Sequence, residues 1–262
     1  MDLGHQNKRV LVTGSSKGIG YAIAASFAQE GARVILNGRD PDRLDQARRR
    51  LKDETGCDAQ AVASDLATPE GVAMLVRTAG EIDILVNNAG AIPSGDLQKV
   101  DAATWRKAWD LKVFGYIDMI RQVLPQMETR KSGVIVNIIG IAGRAPRADY
   151  ICGSMGNASL IAMTQALGGT APGHGVRIYG VNPSPTRSDR IEALFRAQAQ
   201  KTLGDAEQWF ELTHTLAFGR LADPGEVADL VVFTSSPRCG YLSGTVIDVD
   251  GGMVNRDTKA SH

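Results

Sequence analysis

A glycine-rich stretch near the start of the chain carries the clearest chemical signal. Residues 13–20 have the sequence Thr-Gly-Ser-Ser-Lys-Gly-Ile-Gly and lie between an apolar run and an alanine-rich stretch of helical period. Gly14 and Gly18 permit backbone conformations and close approach that a Cβ atom would block, and Gly20 lets the helix lie against the strand. The N–H groups at the helix start can then bind a pyrophosphate. The stretch predicts a dinucleotide site, although a purely structural turn can use the same glycines.

The end of the second predicted strand indicates which dinucleotide is preferred. A fold that prefers NAD usually places an acid there for the ribose 2′-hydroxyl, whereas this chain has Arg39 after Asn37 and Gly38. Arg39 can stack on adenine and pair with a 2′-phosphate, and Lys17 adds a second positive charge at the same corner. We therefore expect NADP(H), with NAD(H) less favoured. The alternative is that Arg39 only begins a solvated, charged helix.

Alternating strands and helices must position these residues. Mostly apolar runs predict seven parallel strands, at 9–13, 33–36, 59–63, 84–87, 133–138, 177–182 and 245–249. Helical periodicity lies between them, at about 17–30, 40–53, 68–78, 101–128, 153–170 and 223–236. Right-handed crossovers would place helices on both faces, so the expected fold class is α/β, a Rossmann-type doubly wound sheet. The segment at about 184–220 interrupts this alternation and is interpreted as a mobile lid over the substrate.

Length and composition limit the classes of function. The 262 residues, 43% of them hydrophobic, predict one NAD(P)-binding Rossmann-type domain over residues 1–262. The 29 basic and 29 acidic residues balance, which indicates no basic face for nucleic acid. No apolar run approaches the roughly 20 residues that cross a bilayer, no targeting segment is evident, and the three cysteines lack metal-site spacing. We expect a cytoplasmic protein with a small-molecule substrate, no metal, and no nucleic-acid or membrane partner.

Motifs spread over nearly the whole chain resemble those of the short-chain dehydrogenase/reductase family. They are the stretch at 13–20, Asp65-Leu66, the Val-Asn-Asn-Ala-Gly at 86–90, Asn182-Pro183 and the Val-Asp-Gly-Gly at 249–252. The resemblance implies a Rossmann-type fold, an oxidoreductase that binds NAD(P) along the C-terminal strand edges, and a homo-oligomer, either a tetramer or a dimer. From its position alone, Asp65 can accept from the adenine amino group or can cap the helix near Thr68. The expected cofactor contacts are Gly14, Ser16, Lys17, Gly18, Ile19, Gly20, Arg39, Asp65, Leu66, Asn88, Ala89, Gly90, Pro183 and Thr186.

The catalytic positions implied by the resemblance depart from the family pattern. The family uses a tetrad of Asn, Ser, Tyr and Lys. Aligned on the flanking motifs, Lys112 stands at the Asn position and Gly140 at the Ser position. The family's 13-residue spacing from Ser to Tyr then ends at Gly153, which leaves Asn157 at the Lys position. The usual acid is therefore missing from its expected place.

Three interpretations of this departure compete. In the first, catalysis is relocated: Tyr150 lies three residues before Gly153, so its hydroxyl can reach the space that the glycine leaves. Tyr150 would then be the acid, Lys112 the charge that lowers its pKa and Asn157 an orienting group. In the second, the enzyme needs no protein acid because its substrate, such as an imine, is already electron-poor. In the third, the protein is a catalytically silent NADP(H)-binding redox sensor or regulatory subunit. Tyr150 can also simply pack at a subunit interface.

Overall fold

A seven-stranded sheet forms the centre of the molecule, in a computed structural model that describes residues 1–256. The strand order is β3-β2-β1-β4-β5-β6-β7, and every neighbouring pair is parallel. The strands are β1 (Arg9–Val12), β2 (Arg33–Gly38), β3 (Gln60–Ala63), β4 (Ile84–Asn87), β5 (Gly133–Ile138), β6 (Val176–Pro183) and β7 (Val246–Val249). The predicted Rossmann-type α/β fold is confirmed. The order reverses between β1 and β4, and such a switch point opens a ligand crevice at the C-terminal ends of the strands.

Within residues 1–256, eight α-helices cover both faces of the sheet. They are α1 (Gly18–Gln29), α2 (Pro41–Thr55), α3 (Pro69–Ala79), α4 (Ala102–Trp109), α5 (Gly115–Arg130), α6 (Ile151–Thr170), α7 (Asp189–Thr202) and α8 (Pro224–Ser235). Alternate residues of β1 pack on opposite sides: Val10 and Val12 share a core with Phe27 of α1, whereas Leu11 shares the other core with Leu75 of α3. This alternation follows from the two-residue period of a strand, and it anchors β1 in the cores on both faces of the sheet.

The predicted long helix at 101–128 is present as one continuous helical run over residues 102–130, which contains one irregular turn. One π-helical turn, Asp110–Phe114, separates α4 from α5. A π turn holds one extra residue and is found mostly as a single insertion within an α-helix, frequently at a functional site. Lys112 lies in this turn and is buried, so the irregularity coincides with a predicted catalytic residue.

The segment at 184–220 contains α7 and two short 3₁₀ segments, Ala206–Thr215 and Ala217–Gly219. Its base is closed by a bridge between Thr186 and Ala222, where the Arg187 N–H donates to the Ala222 carbonyl at 2.8 Å. Its first helix begins at Asp189, next to the crevice edge of the sheet. Within residues 1–256, no helix is long and apolar enough to cross a membrane.

Candidate functional site

The glycine turn, residues 13–20, has the backbone geometry that its sequence predicts. Gly14 and Gly18 adopt positive φ values of 62° and 60°. An ideal Cβ on Gly14 would lie 2.8 Å from the Ala89 Cα atom, and one on Gly20 would lie 2.5 Å from the Gly14 carbonyl oxygen. A Cβ on Gly18 would meet nothing within 4 Å. Two glycines are therefore required for packing, while the third faces open space at the start of α1, where the pyrophosphate of a dinucleotide fits.

Hydrogen bonds join the glycine turn to the loop after β4. Asn88 Nδ2 donates to the carbonyl oxygens of Thr13 and Gly14, both at 3.0 Å. The Thr13 hydroxyl oxygen accepts from the N–H groups of Asn88 and Ala89, at 2.9 and 3.1 Å. Asn88 and Ala89 therefore lie at the crevice and hold the turn in place. Gly90 follows them at the surface, directly beside Lys112.

A cavity of about 400 Å³ lies at the crevice next to this loop. Its charged lining consists of Arg39, Asp65, Lys107 and Arg190. Three positive charges face one negative charge, so the cavity has a basic balance that suits a phosphorylated nucleoside. Lys107 of α4 was missed by the sequence analysis, because only the rotation of α4 on the sheet shows that it faces the strand ends.

The N-caps of α2 and α3 are residues other than Arg39 and Asp65. Thr68, not Asp65, caps α3, since its hydroxyl oxygen accepts from the Gly71 N–H at 3.1 Å. Asp65 accepts instead from the Ala67 N–H at 3.1 Å and lines the cavity. Asp40 caps α2, which leaves Arg39 just before that helix at the cavity wall. The Leu66 side chain is buried in the core, so only its backbone is available to a ligand.

The other predicted cofactor residues of the glycine turn, Ser16, Lys17 and Ile19, each contact a different part of the molecule. Lys17 does not line the cavity with Arg39; its Nζ pairs with the Asp189 carboxylate of α7 at 3.1 Å. Ser16 lies close to Gly38 at the end of β2, with its Oγ 3.7 Å from an ideal Cβ there. Ile19 packs against the core on the α1 side. The glycine turn therefore contacts the end of β2 through Ser16 and the start of α7 through Lys17.

The end of β6 provides the next wall of the crevice. Asn182 donates through Nδ2 to Asp248 at 2.8 Å, and its Oδ1 accepts from the Gly140 N–H at 3.3 Å. Pro183 ends the strand and Thr186 follows, buried, with its hydroxyl donating to the Ser184 carbonyl at 2.8 Å. The Thr186 oxygen retains the capacity to accept a hydrogen bond from a ligand.

The Tyr150 ring occupies the space into which a side chain at residue 153 would extend. Tyr150 is the N-cap residue of α6, which begins at Ile151. An ideal Cβ on Gly153 would collide with Cε1 and Cζ of the Tyr150 ring. The ring also packs against Ile92 and Cys152 in a small apolar cluster. Glycine at 153 is therefore a condition for the position of Tyr150, and the phenol ring stands one turn along the helix from its own Cα.

Burial controls the acidity of Tyr150. Desolvation raises the pKa of its hydroxyl above the usual value of 10.0, the positive charge of Arg190 lowers that pKa, and Cys152 raises it. The phenol therefore stays protonated at neutral pH and can donate a proton.

Lys112 is almost fully buried, and none of the ion pairs among residues 1–256 includes it. Its Nζ donates to the Ile138 carbonyl at 2.7 Å and to the Tyr116 hydroxyl at 3.0 Å. Burial lowers the pKa of Lys112 from 10.5 to about 7. An ideal Cβ on Gly90 would lie 2.5 Å from Lys112 Cδ, so that glycine makes room for the lysine. Tyr116 was missed by the sequence analysis, although its spacing of four residues from Lys112 placed it on the same helix face.

Asn157 is buried beside Gly140 and does not contact Tyr150 through a hydrogen bond within the described chain. Its Nδ2 donates to the Gly140 carbonyl at 3.3 Å, and an ideal Cβ on Gly140 would lie 2.9 Å from the same nitrogen. Gly140 has a φ of 136°, which side chains rarely permit. Asn157 and Gly140 therefore fit each other, and the amide holds the loop after β5.

We call Lys112, Gly140, Tyr150, Gly153 and Asn157 the catalytic corner, after the role that the family alignment predicts for these positions. Lys112 and Asn157 lie at the end of β5, where they donate to the Ile138 and Gly140 carbonyls, whereas Tyr150 packs with Ile92 of the loop after β4. The structure does not join Lys112 to Tyr150 or to Asn157 by a hydrogen bond among residues 1–256. No group of three or more potential metal ligands occurs in that same range. The chemistry that this corner offers is proton transfer, from a phenol and from an amine.

Comparisons with known proteins agree with this architecture. The sequence model of the short chain dehydrogenase family matches residues 8–199. The uncharacterized oxidoreductase YvrD of Bacillus subtilis is 34% identical over 263 residues, covering 97% of this chain and 99% of that protein. The 3-oxoacyl-[acyl-carrier-protein] reductase FabG of Vibrio cholerae is 29% identical, and the match covers 95% of this chain and 98% of that protein. A similar solved structure is that of L-sorbose reductase from Gluconobacter frateurii with NADPH and L-sorbose. Its TM-score is 0.92 at 32% identity, and the match covers 98% of this chain and 100% of that one. The chain therefore belongs to the short-chain dehydrogenase/reductase family of oxidoreductases.

Proposed function

We propose that the protein is an NADP(H)-dependent oxidoreductase that transfers hydride to or from a small carbonyl, alcohol or imine substrate, with Tyr150 as the proton donor. The observation that carries this proposal is the overlap between the Tyr150 ring and the side-chain space of Gly153. The missing acid of the family pattern is thus replaced by a phenol from the preceding turn. A bound nicotinamide would supply or accept the hydride, while the residues of this chain orient the substrate and move the proton.

Lys112 and Asn157 are proposed as the supporting groups. Lys112 places a buried amine under Gly90, next to the loop that lines the crevice. A positive charge there would favour the ionised form of a nearby phenol. Asn157 fixes the Gly140 carbonyl, so it would orient the loop that faces the substrate.

Preference for NADP(H) over NAD(H) is supported by the charges of the 400 Å³ cavity. Arg39 follows β2, where an acid would favour NAD, and Lys107 adds a cation on the facing helix. Two similar reductases were solved with NADPH: L-sorbose reductase, and actinorhodin polyketide ketoreductase at 26% identity. The proposed contacts are the glycine turn, Arg39, Asp65, Leu66, Asn88, Ala89, Gly90, Pro183 and Thr186.

A homo-oligomer, either a tetramer or a dimer, is also proposed. Phe114 beside α5 and Met155 on α6 are large apolar side chains with 51% and 48% of their surface exposed. Such side chains on helix faces are more stable when a second copy covers them. The remaining proposals are a single domain, a cytoplasmic location and lid motion of residues 184–220. Light scattering after size-exclusion chromatography measures the oligomeric state directly.

The second candidate is a catalytically silent NADP(H)-binding protein. One observation favours it: the Lys112 amine donates to Ile138 and Tyr116 and makes no hydrogen bond to Tyr150 within the described residues. A sensor or regulatory subunit would need the cofactor crevice but no proton donor. It would bind NADPH without consuming it.

Deuterium transfer separates these two functions. The purified protein is incubated with NADPH that carries deuterium at the transferable C4 position, together with a small-molecule extract of its native cells. L-sorbose and a 3-oxoacyl thioester are added in parallel as defined probes, since similar reductases carry these substrates in their names. Protein-dependent deuterium in a metabolite or probe supports the oxidoreductase. NADPH binding by fluorescence with no transfer to any compound supports the silent protein.

A further inference from the structure

The first turn of α7 is attached to both sides of the crevice. Asp189 pairs with Lys17 of the glycine turn at 3.1 Å. The next residue, Arg190, donates through Nη2 to the Ile92 carbonyl at 2.5 Å. Ile92 belongs to the loop after β4, whereas Lys17 follows β1. Two consecutive residues of the proposed lid therefore hold its helix across the switch point of the sheet.

The same loop after β4 also lies against Tyr150. Ile92 and Cys152 form the apolar cluster on which the Tyr150 ring packs. A parallel bridge joins Gly95 to Tyr150, and the Gly95 N–H donates to the Asp149 carbonyl at 2.9 Å. The carbonyl that holds Arg190 is thus part of the wall against which Tyr150 stands.

The charged groups around the Tyr150 hydroxyl leave Arg190 as its main electrostatic neighbour. Arg147 and Asp149, just before Tyr150, neutralise each other at 2.6 Å. On α6, Cys152 acts in the opposite direction to Arg190, raising the pKa of the phenol. Lys112 donates to Ile138 and Tyr116 instead. The charge of Arg190 lowers the pKa of Tyr150 and partly offsets the effect of burial, which raises it.

We propose that Arg190 is a positioning residue for the reaction: its guanidinium, brought by α7 to the loop after β4, stabilises the ionised form of the Tyr150 hydroxyl when the lid is closed. The inference rests on the proposed role of Tyr150 as the proton donor. Closure of the lid then prepares the acid at the same time as it encloses the substrate. With the lid open, the buried phenol has no nearby cation from α7 and is a weaker acid.

Arg190→Gln tests this role by a measurement that does not depend on turnover. The protein is labelled with carbon-13 at Cζ of tyrosine, and the Tyr150 resonance is assigned as the one lost in Tyr150→Phe. We expect the pKa of Tyr150 to rise in Arg190→Gln and to return toward the original value in Arg190→Lys. Lys201→Gln removes a positive charge from the other end of α7 and should leave the Tyr150 pKa unchanged. Alcohol oxidation near neutral pH, which needs the ionised phenol, should fall in Arg190→Gln, by about tenfold for each unit by which the Tyr150 pKa rises.

NADPH affinity and Tyr150→Phe distinguish the ways in which the inference can fail. An unchanged Tyr150 pKa in Arg190→Gln, with weaker NADPH binding, would assign Arg190 to the cofactor and overturn the inference. An equal rise in Lys201→Gln would also overturn it, because the effect would then be one of overall charge. If Tyr150→Phe retains full turnover, the catalytic role of Tyr150 is lost and the inference with it. If Tyr150→Phe is inactive but the Tyr150 pKa does not change in Arg190→Gln, only the role of Arg190 is contradicted and the role of Tyr150 stands.

Discussion

The glycine turn and the catalytic corner lie at the same edge of one sheet, but they depend on the chain in different ways. The turn is a stretch of eight consecutive residues whose function comes from backbone geometry. The corner combines residues from the π turn between α4 and α5, the loop after β5, and α6 with the residue before it. Backbone geometry tolerates no side chain at Gly14 or Gly20, whereas side-chain chemistry can move to a neighbouring residue if space is left for it. We propose such a move for Tyr150, in the space that Gly153 leaves.

The largest expected effect is the loss of turnover in Tyr150→Phe. The substitution removes only the hydroxyl, so the ring still fills the space over Gly153 and NADPH affinity should not change. General acid catalysis contributes about 100-fold to 10,000-fold, and we expect kcat to fall within that range. Tyr241→Phe is the matched control, because Tyr241 is fully exposed and should keep its activity. Undiminished turnover in Tyr150→Phe would leave the second interpretation, an enzyme without a protein acid.

Gly153→Ala should reduce turnover while every polar group of the corner is kept. The new Cβ would collide with the Tyr150 ring, and a displacement of about 1 Å can cost on the order of 100-fold in rate. Gly169→Ala is the control on the same helix, because its Cβ would meet nothing within 4 Å. The measurement is kcat for the wild type and both variants, with circular dichroism to confirm folding. Equal activity in all three would show that the ring position over Gly153 has no catalytic consequence.

Much of the fold could be predicted from the sequence, because apolar runs and glycine-rich turns are local signals. The glycine turn, Asn88 and Arg39 are all found at the crevice where the sequence placed them. The π turn between α4 and α5 was not predicted, since it changes no residue pattern that periodicity can detect. This turn is nevertheless important, because it contains Lys112.

The contacts of the catalytic corner were harder to predict than its residues. Lys112, Tyr150 and Asn157 were identified from the family alignment, but the partners of Lys112 were not, because they come from another strand and from the next helical turn. The link from Arg190 to Ile92 joins residues 98 positions apart. No local pattern encodes such a contact, since it depends on how residues 184–220 fold back over the sheet.

Arg39→Ala tests whether Arg39 gives the cofactor crevice its preference for NADPH over NADH. A charge-assisted hydrogen bond contributes about 1.5–3 kcal/mol, so NADPH affinity should fall at least about tenfold. NADH affinity should change little, because NADH has no 2′-phosphate. Fluorescence titration with both cofactors measures the ratio. Equal losses for NADPH and NADH would mean that Arg39 contacts adenine rather than the 2′-phosphate, and NADP preference would lose its main support.

Lys112→Met is expected to stabilise the protein and to impair catalysis. The pKa of Lys112 falls from 10.5 in its ordinary state to about 7 in the folded protein, so the unfolded chain binds more protons between these values. The wild type therefore gains stability as pH rises from about 7 to 10.5 and bears the full cost of the buried ammonium below about 7. Replacing buried ionic groups with well-packed apolar side chains gains up to about 4 kcal/mol, and the Tyr116 hydroxyl keeps its bond to Ile138 at 2.8 Å.

Urea unfolding at about pH 6 and about pH 9 measures this difference for Lys112→Met. The gain should be larger at the lower pH, whereas Lys201→Met, on an exposed face of α7, should show no such dependence. A gain that is absent or equal at both pH values would mean that Lys112 is neutral or well solvated in the folded protein. If Lys112→Met is more stable and less active, selection has kept a costly ammonium at the catalytic corner for its chemistry. The glycine turn shows no such conflict, because the conformations that its glycines permit serve both its packing and its proposed ligand.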